Sequence, residues 1–388
     1  MESGLKETPI AIENIGWTLG NECPFRCTHC YSMAARVKGQ DLTRDNIDRI
    51  VSQLSINQIK TVNLGGNEPL YTNGANPKET LLPYIIRSLS ENGIVVGLTT
   101  AGPTINYLAR HYAEELNLLN DVDISIDSPF AEEHNRNRGA RLFDVAMEAV
   151  DHCRAHGIEH TLVTCGMNWN LSEEHLTALL ELALKSNSLI RINFIKPTER
   201  HHLEAMPTPK QFYEAAAFLL KYCETIDLGE SLLATALSGT GNGCPCGVTS
   251  FRIHSITPDG KVPVSPCVYT HSFRVGDLLK DALYDIVRTS AFREFRRRHA
   301  NPELIEGCSN CQYLSTCRGG CAARAYYAST EGGSLSLFKR DPYCLIKAKV
   351  PDGTLTFDIK NKVRDNGKIL VHKNYLCTFI LQPKKSST

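Results

Sequence analysis

The sequence predicts an α/β protein: an open, partial (β/α)6 barrel of the TIM type over residues 1–225, followed by a small cysteine-rich domain organised by metal. Three observations predict it. From about residue 12 to 225, short β-branched runs alternate with amphipathic helical patterns, as successive βα units around a parallel sheet do. A Ser/Gly/Thr-rich stretch then ends this rhythm. Beyond it the composition turns cysteine-rich and loop-rich up to about residue 348.

The expected strands are 15–19 (IGWTL), 61–65 (TVNLG), 94–99 (IVVGLT), 122–126 (VDISI), 160–165 (HTLVTC) and 189–195 (LIRINFI). Between the first two, Thr43 is placed to cap a helix in which Ile47, Ile50, Val51 and Leu54 recur at helical spacing. Helical patterns near 79–91, 105–117, 143–156, 173–186 and 209–224 continue the alternation. Residues 226–243 read as a linker and 244–348 as the metal-dependent domain. In the extension over 349–388, Asp365-Asn366-Gly367 between two β-rich runs signals a hairpin before a frayed tail.

Size and charge narrow the function. At 388 residues and 42% hydrophobic, the chain can bury one large or two medium cores. Lys plus Arg and Asp plus Glu balance at 42 each, so no net field favours nucleic acid or an anionic membrane. With neither an export signal nor an apolar run of spanning length, the expected compartment is the cytoplasm. In that reducing setting fifteen cysteines point to metal rather than disulfides. Cys153, Cys165, Cys223 and Cys377 stand alone in apolar surroundings and read as small buried hydrophobes. The other eleven cluster.

The first cluster is NECPFRCTHCYSM, with Cys23, Cys27 and Cys30 at C-x3-C-x2-C spacing in the loop after the first strand. In βα barrels such loops carry the chemistry. Three thiolates can hold three irons of a [4Fe-4S] cube and leave the fourth open to substrate or cofactor. Zinc is the alternative, but structural zinc sites usually draw four ligands from paired knuckles.

This spacing resembles that of the radical S-adenosylmethionine (SAM) enzymes. The resemblance implies that the open iron is chelated by the amino and carboxylate groups of SAM. The cluster's electron then cleaves the sulfonium to a 5′-deoxyadenosyl radical that takes hydrogen from a C–H bond. Gly65-Gly66-Asn67-Glu68-Pro69 is similar to the family's glycine-glycine-glutamate-proline motif for the methionine amino group, with Asn67 as an extra residue. By the same resemblance His29 falls at a position touching adenine, Ser125 at one meeting ribose or carboxylate, and Asn168 and Arg191 where later strands approach the cofactor.

A second field, Cys308, Cys311, Cys317 and Cys321 (C-x2-C-x5-C-x3-C), is followed by Cys344 and preceded by Cys244, Cys246, Gly260 and Cys267. It closely resembles the SPASM extension of radical SAM enzymes, which binds two auxiliary [4Fe-4S] clusters. The family's crossed ligation would give one cluster to Cys246, Cys267 and Cys321, with Cys244 a possible fourth. The other would fall to Cys308, Cys311, Cys317 and Cys344. Such crossing staples a loop-rich domain whose own core is small. Two zinc knuckles are the alternative.

His201 and His202 lie after the sixth strand at the barrel rim, where solvated loop histidines are commoner than substrate contacts. Asp127 reads as an Asx-turn with Ser128-Pro129. The run FREFRRRHA reads as an exposed face of an amphipathic helix. Sulfatase-maturing relatives carry an aspartate base after the cysteine matching Cys267; here Val268 and Tyr269 follow.

The resulting expectation is an oxidoreductase with SAM and three [4Fe-4S] clusters, one cleaving SAM and the auxiliary pair accepting an electron. Catalytic acid–base residues are not assigned. The resemblance implies a ribosomally made peptide as substrate and a low-potential donor such as flavodoxin or ferredoxin. Because the barrel begins almost at the N-terminus, peptide maturation would need a separate leader-peptide-binding protein or another recognition surface. The rivals are oxidation, decarboxylation or epimerisation of a sugar, porphyrin or antibiotic precursor, and a noncatalytic iron–sulfur electron carrier.

Overall fold

A computed structural model describes residues 10–20, 22–32, 38–198, 200–238, 241–328, 335–348, 370–373 and 377–384. All six expected barrel strands form: β1 (Asn14–Leu19), β2 (Thr61–Gly66), β3 (Val95–Thr100), β4 (Leu119–Ser125), β5 (Glu159–Gly166) and β6 (Leu189–Phe194). They pair in parallel and in chain order. Alternate residues of a strand face opposite ways. Val62, Leu64, Val96, Leu98, Val122, Ile124, Ile190 and Ile192 pack into the main apolar core, each 1% exposed or less. Their neighbours Asn63, Thr99, Ser125, Arg191 and Asn193 face the barrel cavity instead. The strands thus combine an apolar side with a polar lumen.

The helix Arg44–Ile56 starts as expected. Thr43 and Asn46 form a reciprocal capping box, and Ile47, Ile50, Val51 and Leu54 are its buried residues. Leu82–Glu91, Phe143–Ala155, Glu173–Ser186 and Pro209–Tyr222 follow the predicted rhythm. The expected helix at 105–117 is divided, because Tyr112 (φ −145°, ψ 53°) separates Pro103–His111 from Ala113–Leu116.

The expected linker is largely structured. Cys223–Leu228 forms β7, and Ser231–Ser238 is a helix whose Leu232 and Leu233 are buried. The apolar residues of IDLGESLLATAL therefore serve packing and not a spacer. Across the sheet, β8 (Ser250–Ile253) pairs in parallel with β1, and β9 (Val264–Ser265) pairs antiparallel with β8. The cysteine-rich part is thereby built onto the edge of the barrel sheet.

The C-terminal extension behaves differently from the expected hairpin. Its turn, Asp365-Asn366-Gly367, lies outside the described residues. Part of the second run, 371–373, is a turn and not strand. A later stretch, β10 (Phe379–Pro383), enters the sheet antiparallel between β6 and β7. The order is β7-β10-β6-β5-β4-β3-β2-β1-β8-β9. Phe379 and Leu381 are fully buried, which ties the end of the chain to the barrel. Val371 fills the space over Gly97 of β3, where a Cβ would stand 2.7 Å from the valine Cβ. The backbone N–H of Val371 donates to Asp121 Oδ1 at 3.0 Å.

The arginine-rich helix also differs from expectation. Within Ser290–Ala300, Arg296 and Arg298 are buried. Arg298 donates to the carbonyls of Leu337 (2.6 Å), Gly319 (2.6 Å), Arg318 (3.2 Å) and Gly320 (3.3 Å). A guanidinium that saturates four inward carbonyls has reason to be buried. It orders the Cys317–Cys321 loop.

Candidate active site and cysteine fields

The loop after β1 is held on the end of the helix Ala131–Arg138. Backbone N–H groups of Arg26 and Thr28 donate to the carbonyls of Arg138 (3.3 Å) and Asn137 (3.0 Å), and Thr28 Oγ1 bonds the Asn137 side chain. Gly139 ends that helix in the left-handed region (φ 64°), and a Cβ there would meet Arg26 Cβ at 3.2 Å. Cys23, Cys27 and Cys30 consequently line one cavity at the barrel mouth.

Asp127, read from sequence as an Asx-turn, is instead the fully buried anchor of this arrangement. Arg138 Nη2 donates to Oδ1 at 3.0 Å, Arg138 Nε lies 2.6 Å from Oδ2 as an ion pair, and Asn137 Nδ2 donates to Oδ2 at 2.8 Å. Burial pushes the Asp127 carboxyl up, but Arg138 together with His29 and His134 outweighs it and holds the group well below the usual carboxylate range. Arg138 Nη1 also reaches within 3.9 Å of Cys27 Sγ. Asn137 Nδ2 and His29 Nδ1 are 3.0 Å apart, so the histidine is oriented by the same cluster. Burial lowers His29 to about 4 and keeps it neutral near pH 7.

The other expected contacts divide. Glu68 lines the cavity, buried, with its carboxylate held by the Thr100 and Thr104 hydroxyls, Ala101 N (2.9 Å) and Thr104 N (3.2 Å). The extra residue, Asn67, bridges the cysteine loop: Nδ2 donates to Gly20 O at 2.7 Å, and Oδ1 accepts from Ser32 Oγ at 2.9 Å. Gly66 (φ 101°) belongs here for steric reasons, since a Cβ would stand 2.6 Å from Thr18 and 2.8 Å from Arg252. Gly65 precedes it at the end of β2, and Pro69 is buried. Ser125 and Arg191 face the cavity. Asn168 does not: it is exposed, and its amide donates to Glu204 O at 2.7 Å. His202 is buried against Thr198 while His201 is exposed.

Several cavity residues were not legible in the sequence. Arg252 comes from β8 and donates to Thr18 Oγ1 at 2.8 Å. His372, from the C-terminal extension, pairs with Asp123, which also pairs with Arg191 at 2.7 Å. Cys165 lines the cavity instead of a core. Val268 and Tyr269 stand here too, so the position of the sulfatase-maturing aspartate is filled by an apolar side chain.

The residues fit an iron–sulfur cluster with a polar ligand. Three thiols border an open space, and beside them Arg191 Nε and Nη1 and Asn193 Oδ1 are buried without a hydrogen-bond partner among the described residues. Such orphaned groups await a bound molecule.

Both auxiliary fields assemble. Cys308, Cys311, Cys317 and Cys344 border a second, smaller pocket. Cys244, Cys246, Cys267 and Cys321 are buried together in a separate nest. Arg324, 0% exposed, spans bidentately to Glu230 (3.0 and 2.9 Å) and also to Asp341 (2.9 Å), whose Oδ2 accepts from Cys321 N at 2.7 Å. Cys153 and Cys223 are buried as expected, but Cys377 joins the Cys244 nest.

A parallel barrel with three closely spaced thiols at its mouth and an appended double cysteine field is the architecture of an iron–sulfur enzyme. The chain matches the Radical SAM superfamily model over residues 17–183 and the SPASM iron–sulfur cluster-binding domain model over 244–312. It is a radical SAM enzyme with a C-terminal SPASM domain, and SAM and [4Fe-4S] clusters are its cofactors. The mycofactocin maturase MftC of Mycobacterium ulcerans is 26% identical over 358 residues, covering 89% of each chain. Among solved structures, native anSMEcpe with bound AdoMet superposes with a TM-score of 0.63 at 19% identity, covering 86% of this chain and 95% of that one. Streptococcus suis SuiB bound to precursor peptide SuiA gives 0.64 at 13%, covering 90% and 77%. Among the described residues no helix is long and apolar enough to cross a membrane.

Proposed function

We propose that this enzyme modifies a ribosomally made peptide by hydrogen abstraction, with one SAM-binding cluster on Cys23, Cys27 and Cys30 and two auxiliary clusters in the SPASM domain. The observation that carries the chemistry is that Cys23, Cys27 and Cys30, all on the one loop after β1, face an open cavity, whereas the other thiol lining it, Cys165, comes from β5. The peptide assignment is supported by similarity to a maturase along nearly the whole chain. When bound, the reduced cluster and SAM supply a carbon radical able to take hydrogen from an unactivated C–H bond.

The protein's own part is positional. Asp127, Asn137 and Arg138 hold the thiol loop in place. Glu68 is pre-set by four donors, and Asn67 fixes its distance from that loop. Arg191, two of whose guanidinium nitrogens lack a hydrogen-bond partner among the described residues, would meet a carboxylate or ribose hydroxyl of the nucleotide. Tyr31 and Tyr269, ring centroids 5.3 Å apart, and Lys196, its ammonium 5.4 Å from the Tyr269 ring, form the wall that would meet substrate.

A flavodoxin or ferredoxin would supply the reducing electron, and a separate leader-peptide-binding protein would deliver the peptide. Anaerobically reconstituted protein with dithionite and SAM is expected to form 5′-deoxyadenosine, and Cys30→Ala to abolish it. Iron-replete wild-type protein that leaves SAM intact would refute the reading. Deuterium transfer from a labelled candidate peptide into 5′-deoxyadenosine tests the substrate class; transfer from a small molecule alone would overturn it.

A further inference from the structure

Cys377 lies far from the spaced cysteine motifs and stands in neither family-implied ligand set. It is nonetheless 3% exposed and buried in one cluster with Cys244, Cys246, Cys267 and Cys321. The side chain of Cys244 contacts those of Cys246, Cys321 and Cys377; Cys377 also contacts Cys321, and Cys246 contacts Cys267. Five thiols thus converge where a [4Fe-4S] cube takes four. The backbone fixes the fifth firmly. Thr378, the next residue, is fully buried; its hydroxyl donates to Asp227 Oδ2 at 2.5 Å, and its carbonyl accepts from Glu230 N at 2.9 Å. Beginning at Phe379, β10 runs between β6 and β7. A lone hydrophobic thiol would need no such company.

We propose that Cys377 is a protein ligand of the first auxiliary cluster, completing the set of Cys246, Cys267 and Cys321 and leaving Cys244 as a neighbouring thiol. The proposal rests on the auxiliary-cluster part of the proposed function. It gives the C-terminal segment a role in metal binding: the cluster is closed by a residue that also leads into a strand of the barrel sheet. Cluster assembly and docking of β10 are therefore coupled, because a cluster bound only to the folded chain adds its binding free energy to folding.

The test is iron and sulfide content with electron paramagnetic resonance on anaerobically reconstituted wild type, Cys377→Ala, Cys377→Ser and Cys244→Ala. Cys377→Ala should lose about four of roughly twelve irons per chain, and with them one auxiliary signal. Cys244→Ala should keep both. Cys377→Ser, which preserves volume, should retain the cluster with a shifted signal through oxygen ligation or lose it as alanine does. Formation of 5′-deoxyadenosine by Cys377→Ala shows that the barrel site is intact and that loss of iron is local. Full iron and an unchanged spectrum in Cys377→Ala would overturn the ligand assignment alone. Wild-type protein that takes up only one cluster would overturn the auxiliary-cluster reading as well.

Discussion

At the scale of the residue, the site depends on groups that hold other groups. Asp127 neutralises Arg138, which together with Asn137 carries the thiol loop. Asp127→Ala leaves a buried guanidinium unpaired and should destabilise the protein by about 3–5 kcal/mol, read as a lower denaturant midpoint and faster loss of iron from the N-terminal cluster. His134 adds a pH dependence. Its Nδ1 accepts from Asp127 N at 3.1 Å, so the folded ring is neutral, and burial with Arg138 nearby lowers it to about 4 despite Asp127. The unfolded ring titrates near ~6.5. Between these values the unfolded chain binds the extra proton, so stability should fall as pH drops from about 6.5 through about 4. His134→Gln, which keeps an acceptor, should flatten that part of a urea-midpoint profile against pH; an unaltered slope would show that His134 does not contribute.

At the scale of the element, the end of the chain does structural work that sequence order conceals. Leu381 is fully buried on β10 between β6 and β7. Leu381→Ala should cost about 2–5 kcal/mol in unfolding free energy. Gly97→Ala would force a methyl against Val371 and should cost about 1–3 kcal/mol; a neutral effect would mean that the Val371 turn moves aside freely. These elements also mark what the sequence could tell. β1 to β6 were legible because strands covered on both sides by the fold carry β-branched runs at regular spacing. The Thr43 cap and the face of Ile47, Ile50, Val51 and Leu54 were legible because both are local. β10 was not: its partners are set by tertiary pairing, and the run resembles any hairpin arm. Arg296 and Arg298 were misread for the same reason, since the carbonyls that accept from Arg298 lie in later loops.

At the scale of the whole molecule, the barrel and the SPASM domain are joined by sheet pairing and by buried charge. The β1–β8 pair extends one sheet across both, and it delivers Arg252, with the nearby Val268 and Tyr269, into the barrel cavity. Arg324 bridges Glu230, just beyond β7, to Asp341 in the loop leading to Cys344. Arg324→Ala should therefore cost about 3–5 kcal/mol and lower auxiliary iron content together; loss of stability with both auxiliary clusters fully retained would separate the ion network from metal binding. The cysteine spacings were legible because the clustered thiols lie within short stretches of sequence. Cys377 was not, because only the fold brings it to the nest.

The central claim is that the cluster on Cys23, Cys27 and Cys30 has one iron without a protein ligand. Electron–nuclear double resonance on the reduced wild-type enzyme, with SAM labelled by 15N in the amino group and 17O in the carboxylate, tests it most directly. The account predicts hyperfine coupling from both labels to the N-terminal cluster. A spectrum unaltered by the labelled nucleotide, from protein with that cluster fully loaded, would contradict it.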